Sequence, residues 1–168
     1  MLVVFSGLPG VGKTTVARAF AQECGATFLR IDTIEQALRG SGMLTTDVGA
    51  AGYLIAYALA ETNLRIGATV VGDAVNPIRD ARNSWRKIAR ETESAFYEIE
   101  VICSDAEEHR RRVQTRASDI AGLKLPTWQD VTERAYEPWD RQRLVLDTAH
   151  RSLDDLLRQV RNWMEPTG

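Results

Sequence analysis

Eight residues near the start of the chain have the types and spacing to hold a triphosphate. Gly7-Leu8-Pro9-Gly10-Val11-Gly12-Lys13-Thr14 is a G-x-x-x-x-G-K-[ST] run, a loop whose backbone N–H groups can cradle phosphate oxygens. Gly7, Gly10 and Gly12 permit the backbone turns that build such an anion nest; Pro9, Val11 and Thr15 complete its surface. A helix starting at Lys13 adds its unpaired N–H groups and dipole. Lys13 can reach the β- and γ-phosphates, and the Thr14 hydroxyl is placed for Mg²⁺. The chain holds eighteen arginines but only three lysines, Lys13, Lys87 and Lys124. A compact ammonium kept at this position suits a phosphate site where a planar guanidinium would not do the same work. The bland alternative is a glycine-rich turn between a strand and a helix.

The elements that must position this loop follow from periodicity. Apolar runs at Leu2–Ser6, Thr27–Ile31, Thr69–Gly72, Phe96–Ile102 and Arg143–Leu146 read as strands. They alternate with helical patterns, which predicts βαβ units, a parallel sheet and a doubly wound three-layer α/β fold. The predicted helices are Lys13–Glu23 stopped by Gly25, Asp47–Ile66 stopped by Gly67, and Pro77 to Glu93. Further ones run from an Asp105 cap to Arg116, from Pro126-Thr127 to Glu137, and from a Ser152 cap through Leu153, Leu156, Leu157, Val160 and Met164. Gly40–Thr46 and Ser118–Pro126 read as loops suited to a lid or acceptor-binding role; Glu165–Gly168 reads as a loose tail.

Ligands of open parallel sheets bind beyond the carboxyl ends of the strands. That rule selects the glycine-rich loop after the first strand, Asp32 after the second and Asp73 after the third. Asp73-Ala74-Val75-Asn76 is not the D-x-x-G of a GTPase switch, and no N-K-x-D guanine reader occurs. Asp73 is followed by Ala74, so the glutamate with which a motor ATPase polarises water is missing. What remains is a kinase that transfers phosphoryl to a bound acceptor.

On these residues the chain resembles small P-loop phosphotransferases of the AAA-33 type: polynucleotide 5′-kinase domains, zeta toxins, chloramphenicol phosphotransferase and gluconate kinase. Gly7 to Thr15 matches the phosphate loop, and Phe28-Leu29-Arg30-Ile31-Asp32 the strand ending in the catalytic aspartate. Val70 to Pro77 resembles the turn carrying Asp73 and Asn76, and Arg110 to Arg116 the lid helix. The resemblance implies a five-stranded sheet of order 2-3-1-4-5 with helices on both faces, a lid over about 105–138 within a single domain of residues 1–168, and ATP and Mg²⁺ as cofactors. It implies Asp32 as the base that orients an acceptor hydroxyl, Thr14 and Asp73 as metal residues, and Asp32, Glu35, Asp73 and Asn76 facing the acceptor. Glu35 stands where polynucleotide kinases carry an arginine for the acceptor's phosphate, and a carboxylate there would repel an anionic acceptor.

Each role has a structural competitor. Asp32 could cap a helix, and Asp73 and Asn76 could serve turn chemistry. Arg112 and Arg116, one helical turn apart, share a face and could neutralise the transferring phosphoryl group. Arg79, Arg82, Arg86 and Arg90 read as a solvated stripe opposite Ile78, Trp85, Ile88 and Ala89. Trp128, Tyr136 and Trp139 could stack on adenine or an acceptor, or pack in the core. His109 and His150 receive no metal or nucleophilic role.

Length 168, 44% hydrophobic content and formal net charge −2 fit one domain with a full core. Without a basic excess, nucleic acid is an open but disfavoured partner. Cys24 and Cys103 make no disulfide framework, and no stretch reaches membrane-spanning length. The expectation is a cytoplasmic monomer or homodimer acting on a small-molecule hydroxyl acceptor. The alternatives are a 5′-hydroxyl kinase of polynucleotides or nucleosides, and a nucleotide-binding regulatory or toxin-like protein with incidental ATPase activity.

Overall fold

Strand β1, Leu2–Ser6, is buried at every residue, and its alternation divides the interior in two. Val3 and Phe5 point to a core shared with Val16, Ala17, Phe20, Leu156, Leu157 and Val160. Leu2 and Val4 point to the opposite core, with Ala56, Ala60, Leu64, Trp85 and Ile88. A strand buried on both faces needs helices on both sides. A computed structural model describes residues 1–43 and 46–165. Leu44 and Thr45 of the predicted loop, and 166–168 of the predicted tail, lie outside the described residues.

The element order is β1, α1 (Lys13–Glu23), β2 (Thr27–Arg30), α2 (Ile31–Gly40), α3 (Ala51–Arg65), β3 (Val70–Asp73), α4 (Arg79–Glu91), β4 (Phe96–Ile102), α5 (Ala106–Thr115), α6 (Trp128–Thr132), β5 (Leu144–Asp147) and α7 (Leu153–Met164). The sheet has the expected order β2-β3-β1-β4-β5, with each neighbouring pair parallel. Its register sets Asp73 beside both Phe5 and Arg30. The carboxyl ends of β1, β2 and β3 therefore form one continuous rim.

Several boundaries differ from the periodicity. Ile31 opens α2 rather than closing β2, and from that first turn it still reaches the second core. α3 starts at Ala51, not Asp47. α4 starts at Arg79 after an extended Ile78, because Pro77 serves the turn before the helix. α6 stops at Thr132, although its Thr127–Asp130 capping box fixes the expected start. Asp105 caps α5 by accepting from the Glu107 and Glu108 N–H groups, and Ser152 caps α7. Among the described residues no helix is long and apolar enough to cross a membrane.

Candidate active site

Between β1 and α1 the loop turns through three glycines with positive φ, 147° at Gly7, 86° at Gly10 and 91° at Gly12. At Gly7 a Cβ would lie 2.3 Å from the Val101 carbonyl oxygen, and at Gly10 2.4 Å from Val113 Cγ2. Both positions thus exclude a side chain by conformation and by space. Two loop carbonyls turn toward the scaffold. The Pro9 carbonyl lies 2.9 Å from His109 Nε2, and the Val11 carbonyl accepts from Thr148 Oγ1 at 2.7 Å. Anchoring the carbonyls outward is what leaves the N–H side for an anion. His109 and Thr148 are thus supports of the loop that motif reading missed. Thr148 follows β5, so the strand-end rule could have found it; His109 has no such signal.

The loop lines a cavity of about 1320 Å³ that also takes in Arg18, Arg30, Asp32, Glu35, Arg116 and Asp119. A single-ligand pocket is roughly 300–1,000 Å³, so a donor and an acceptor fit together. Lys13 lines the cavity, and its Nζ lies 2.5 Å from Oδ1 of Asp73; Asp73 is fully buried and absent from the cavity wall, so it does not face the acceptor as expected. Asp73 Oδ2 is buried without a hydrogen-bond partner, and Arg30 Nε stands 3.8 Å away. The spare Asp73 carboxylate oxygen and the Thr14 hydroxyl are both hard oxygen donors, the type that suits Mg²⁺.

Asp32 is the second residue of α2, its side chain 46% exposed. The cap residue is Arg30, so the capping competitor for Asp32 does not hold; the carboxylate sits in the first turn and faces the cavity. Arg116 is half-buried. Burial lowers its pKa, and the Asp32 charge opposes that shift. Arg116 lies just past the end of α5, in extended backbone, so the shared helical face with Arg112 is lost, although both line the cavity. Arg112 is held by Thr148 Oγ1 at 2.8 Å, the Thr148 carbonyl at 3.1 Å and Glu108 Oε1 at 2.5 Å. Arg110 and Arg111 are exposed. Glu35 lines the cavity but is bonded by Arg39 at 3.1 Å.

Other expected site residues are elsewhere. Asn76 is fully buried, donating to Ser6 Oγ at 2.8 Å and accepting from Trp85 Nε1 at 3.0 Å. It pins the turn after β3 and is absent from the cavity wall. Arg82 is not in a solvated stripe. It is buried and donates to the carbonyls of Asn76, Pro77, Glu137 and Pro138, with its guanidinium over the rings of Tyr136 and Trp139. Arg79, Arg86 and Arg90 are exposed as expected. Tyr136 and Trp139 are thereby spent on the scaffold, and Trp128 packs edge-on against His109. Arg30 joins the cavity from the strand-end rim, where the same rule applies, and Asp119 joins it from Ser118–Pro126, the expected lid or acceptor loop, in which no residue type singled it out.

Residues 2–143 match the AAA_33 family, described as an AAA domain. The chain is 30% identical over 164 residues to a "Probable adenylyl-sulfate kinase" of Aeropyrum pernix, covering 92% of this chain and 86% of that one. Among solved structures, Chaetomium thermophilum Kti12 in complex with ADP-AlF3 superposes with a TM-score of 0.71 at 19% identity, over 98% of this chain and 100% of that one. The Mycobacterium tuberculosis APS kinase CysC in complex with AMPPNP and APS gives 0.67 at 22% identity, over 96% and 95%.

Proposed function

The chain belongs to the AAA_33 family of small P-loop kinases, and from that premise we propose that it transfers the γ-phosphoryl group of ATP to a hydroxyl of a small-molecule acceptor. One observation carries this reading: a single cavity is walled by the phosphate loop with Lys13 and by Asp32 and Arg116.

In this mechanism Asp32 accepts a hydrogen bond from the acceptor hydroxyl, orients it in line with the γ-phosphorus and takes its proton as the new P–O bond forms and the bond to the β–γ bridging oxygen breaks, releasing ADP. Such transfer passes through a loose transition state, so orientation outweighs basicity. Lys13 exchanges Asp73 Oδ1 for phosphate oxygens. Arg116 donates to the transferring group, and Arg112 holds Thr148 and, through it, the loop. Thr14 and Asp73 would hold Mg²⁺, which would supply positive charge to offset that of the phosphates.

The test is ADP release, by coupled assay, across hydroxyl acceptors of several chemical classes. An acceptor should accelerate it, and Asp32→Asn should lower the acceptor-dependent rate by about 10²–10⁴-fold with ATP affinity retained. ADP release indifferent to every acceptor would sink the reading in favour of a nucleotide-binding regulator.

A further inference from the structure

Asp119 belongs to the loop between α5 and α6, yet its carboxylate is held by two arginines of the scaffold. Arg30 Nη1 donates to both oxygens, at 2.8 and 2.9 Å, and Arg18 Nη2 donates to Oδ2. The three residues line the same cavity as Asp32 and the phosphate loop. Burial separates their roles. The Asp119 side chain is 48% exposed, that of Arg30 only 12%, and Arg30 Nε is buried with no hydrogen-bond partner.

A desolvated guanidinium needs an anion at hydrogen-bond distance. The rim carboxylates do not provide one, since Asp32 Oδ2 and Asp73 Oδ2 each stand 3.8 Å from Arg30, outside hydrogen-bond range. Arg30 is fixed by the sheet, at the register position beside Asp73. Asp119 comes from an exposed loop 89 residues away in the chain. Arg30 is the built part of the arrangement, half-exposed Arg18 completes the pair, and the carboxylate is the exchangeable part. Two guanidinium groups converging on one carboxylate present several N–H donors, the donor arrangement that binds carboxylate, sulfate or phosphate.

We propose that Arg18 and Arg30 form the subsite for an anionic group carried by the acceptor, and that Asp119 is an intramolecular place-holder which that group displaces. The word acceptor rests on the kinase reading; the anion site does not. Glu35 does not oppose such a ligand, because Arg39 bonds its carboxylate and its side chain backs onto Gly52. A cation on the last residue of β2 thereby serves an acceptor that Glu35 on α2 would otherwise repel. The subsite selects acceptors bearing carboxylate, sulfate or phosphate over their neutral parents.

The experiment uses the whole protein with its phosphate loop saturated by Mg²⁺ and a non-hydrolysable ATP analogue. Sodium sulfate is titrated at constant ionic strength while the arginine Nε–Hε resonances are followed by NMR. Asp119→Ala, which removes the competing carboxylate, should bind sulfate at least tenfold tighter than wild type. Arg18→Gln and Arg30→Gln should bind at least tenfold weaker. Arg18 is half exposed, so its variant answers the question even if Arg30→Gln does not fold. Sulfate affinity unmoved by Asp119→Ala and by Arg18→Gln, or no saturable binding in Asp119→Ala, overturns the proposal. This readout involves no turnover, so its failure is distinct from failure of the kinase reading. In turnover, an acid or phosphate acceptor should exceed its neutral parent in kcat/KM by at least 100-fold, an advantage lost in Arg18→Gln; equal use of the neutral parent also overturns the proposal.

Discussion

Lys13 Nζ meets Asp73 Oδ1 at 2.5 Å, both side chains buried, so the lysine of the glycine-rich loop is ion-paired with the carboxylate that ends β3. Removing one member of a buried pair leaves the other charge uncompensated, at a cost of about 3–5 kcal/mol, whereas removing both is far milder. Lys13→Met should lower the stability of the nucleotide-free protein by that amount, and Lys13→Met with Asp73→Asn should recover most of it. Urea unfolding of the four proteins in a double-mutant cycle measures the coupling, and additive effects would disprove it.

Arg112 and Arg116 should separate kinetically. Arg112 holds Thr148, and the Thr148 hydroxyl holds the Val11 carbonyl, so Arg112→Ala should raise the KM for nucleotide. Arg116 shares the Asp32 wall without such a tether. Arg116→Ala should lower kcat by roughly 10²–10³-fold, the loss typical of one transition-state donor, at unchanged nucleotide KM. Steady-state kinetics of both variants decides, and identical profiles would refute the division.

Asn76 should behave as a structural residue. Asn76→Ala strips the acceptor from Trp85 Nε1 and the donor from Ser6 Oγ, costing about 1–3 kcal/mol for each buried group left unpaired. The melting temperature should fall while KM for nucleotide and acceptor stays put. A normal melting temperature with an altered acceptor KM would restore it to the site.

Acid should release the Asp119 loop only at very low pH. Hydrogen bonds from Arg30, then Arg18, pull the Asp119 carboxyl from its ordinary 3.8 down to about 2. A depressed folded-state pKa contributes stability above the unfolded value, and that contribution disappears as pH falls through the folded value. The stability difference between wild type and Asp119→Asn should therefore be flat from pH 7 to 5 and shrink between about pH 4 and 2. Chemical unfolding at stepped pH measures it, and a difference already titrating near pH 6 would contradict the assignment.

How far the amino-acid sequence reached depends on distance along the chain. The phosphate loop was legible because nest, lysine and helix start are contiguous, and Gly7, Gly10 and Gly12 stand where the backbone needs a positive φ that other residues rarely adopt. The rim position of Asp32 and Asp73 was legible because a parallel sheet brings all its carboxyl ends to one edge, while the strand order followed only from the family resemblance. The tertiary structure alone decided where long side chains go. Arg82 looked solvated beside Arg79, Arg86 and Arg90, yet it is buried because the carbonyls of Glu137 and Pro138, some 55 residues on, satisfy its N–H groups. Asn76 carried the right residue type for a site but was claimed by Trp85 and Ser6. The pairing of Arg30 with Asp119, 89 residues away in the chain, was likewise set by the fold alone. Backbone geometry is written in local residue types; the partner of a flexible charged side chain is set by whichever distant group the fold brings within 3 Å.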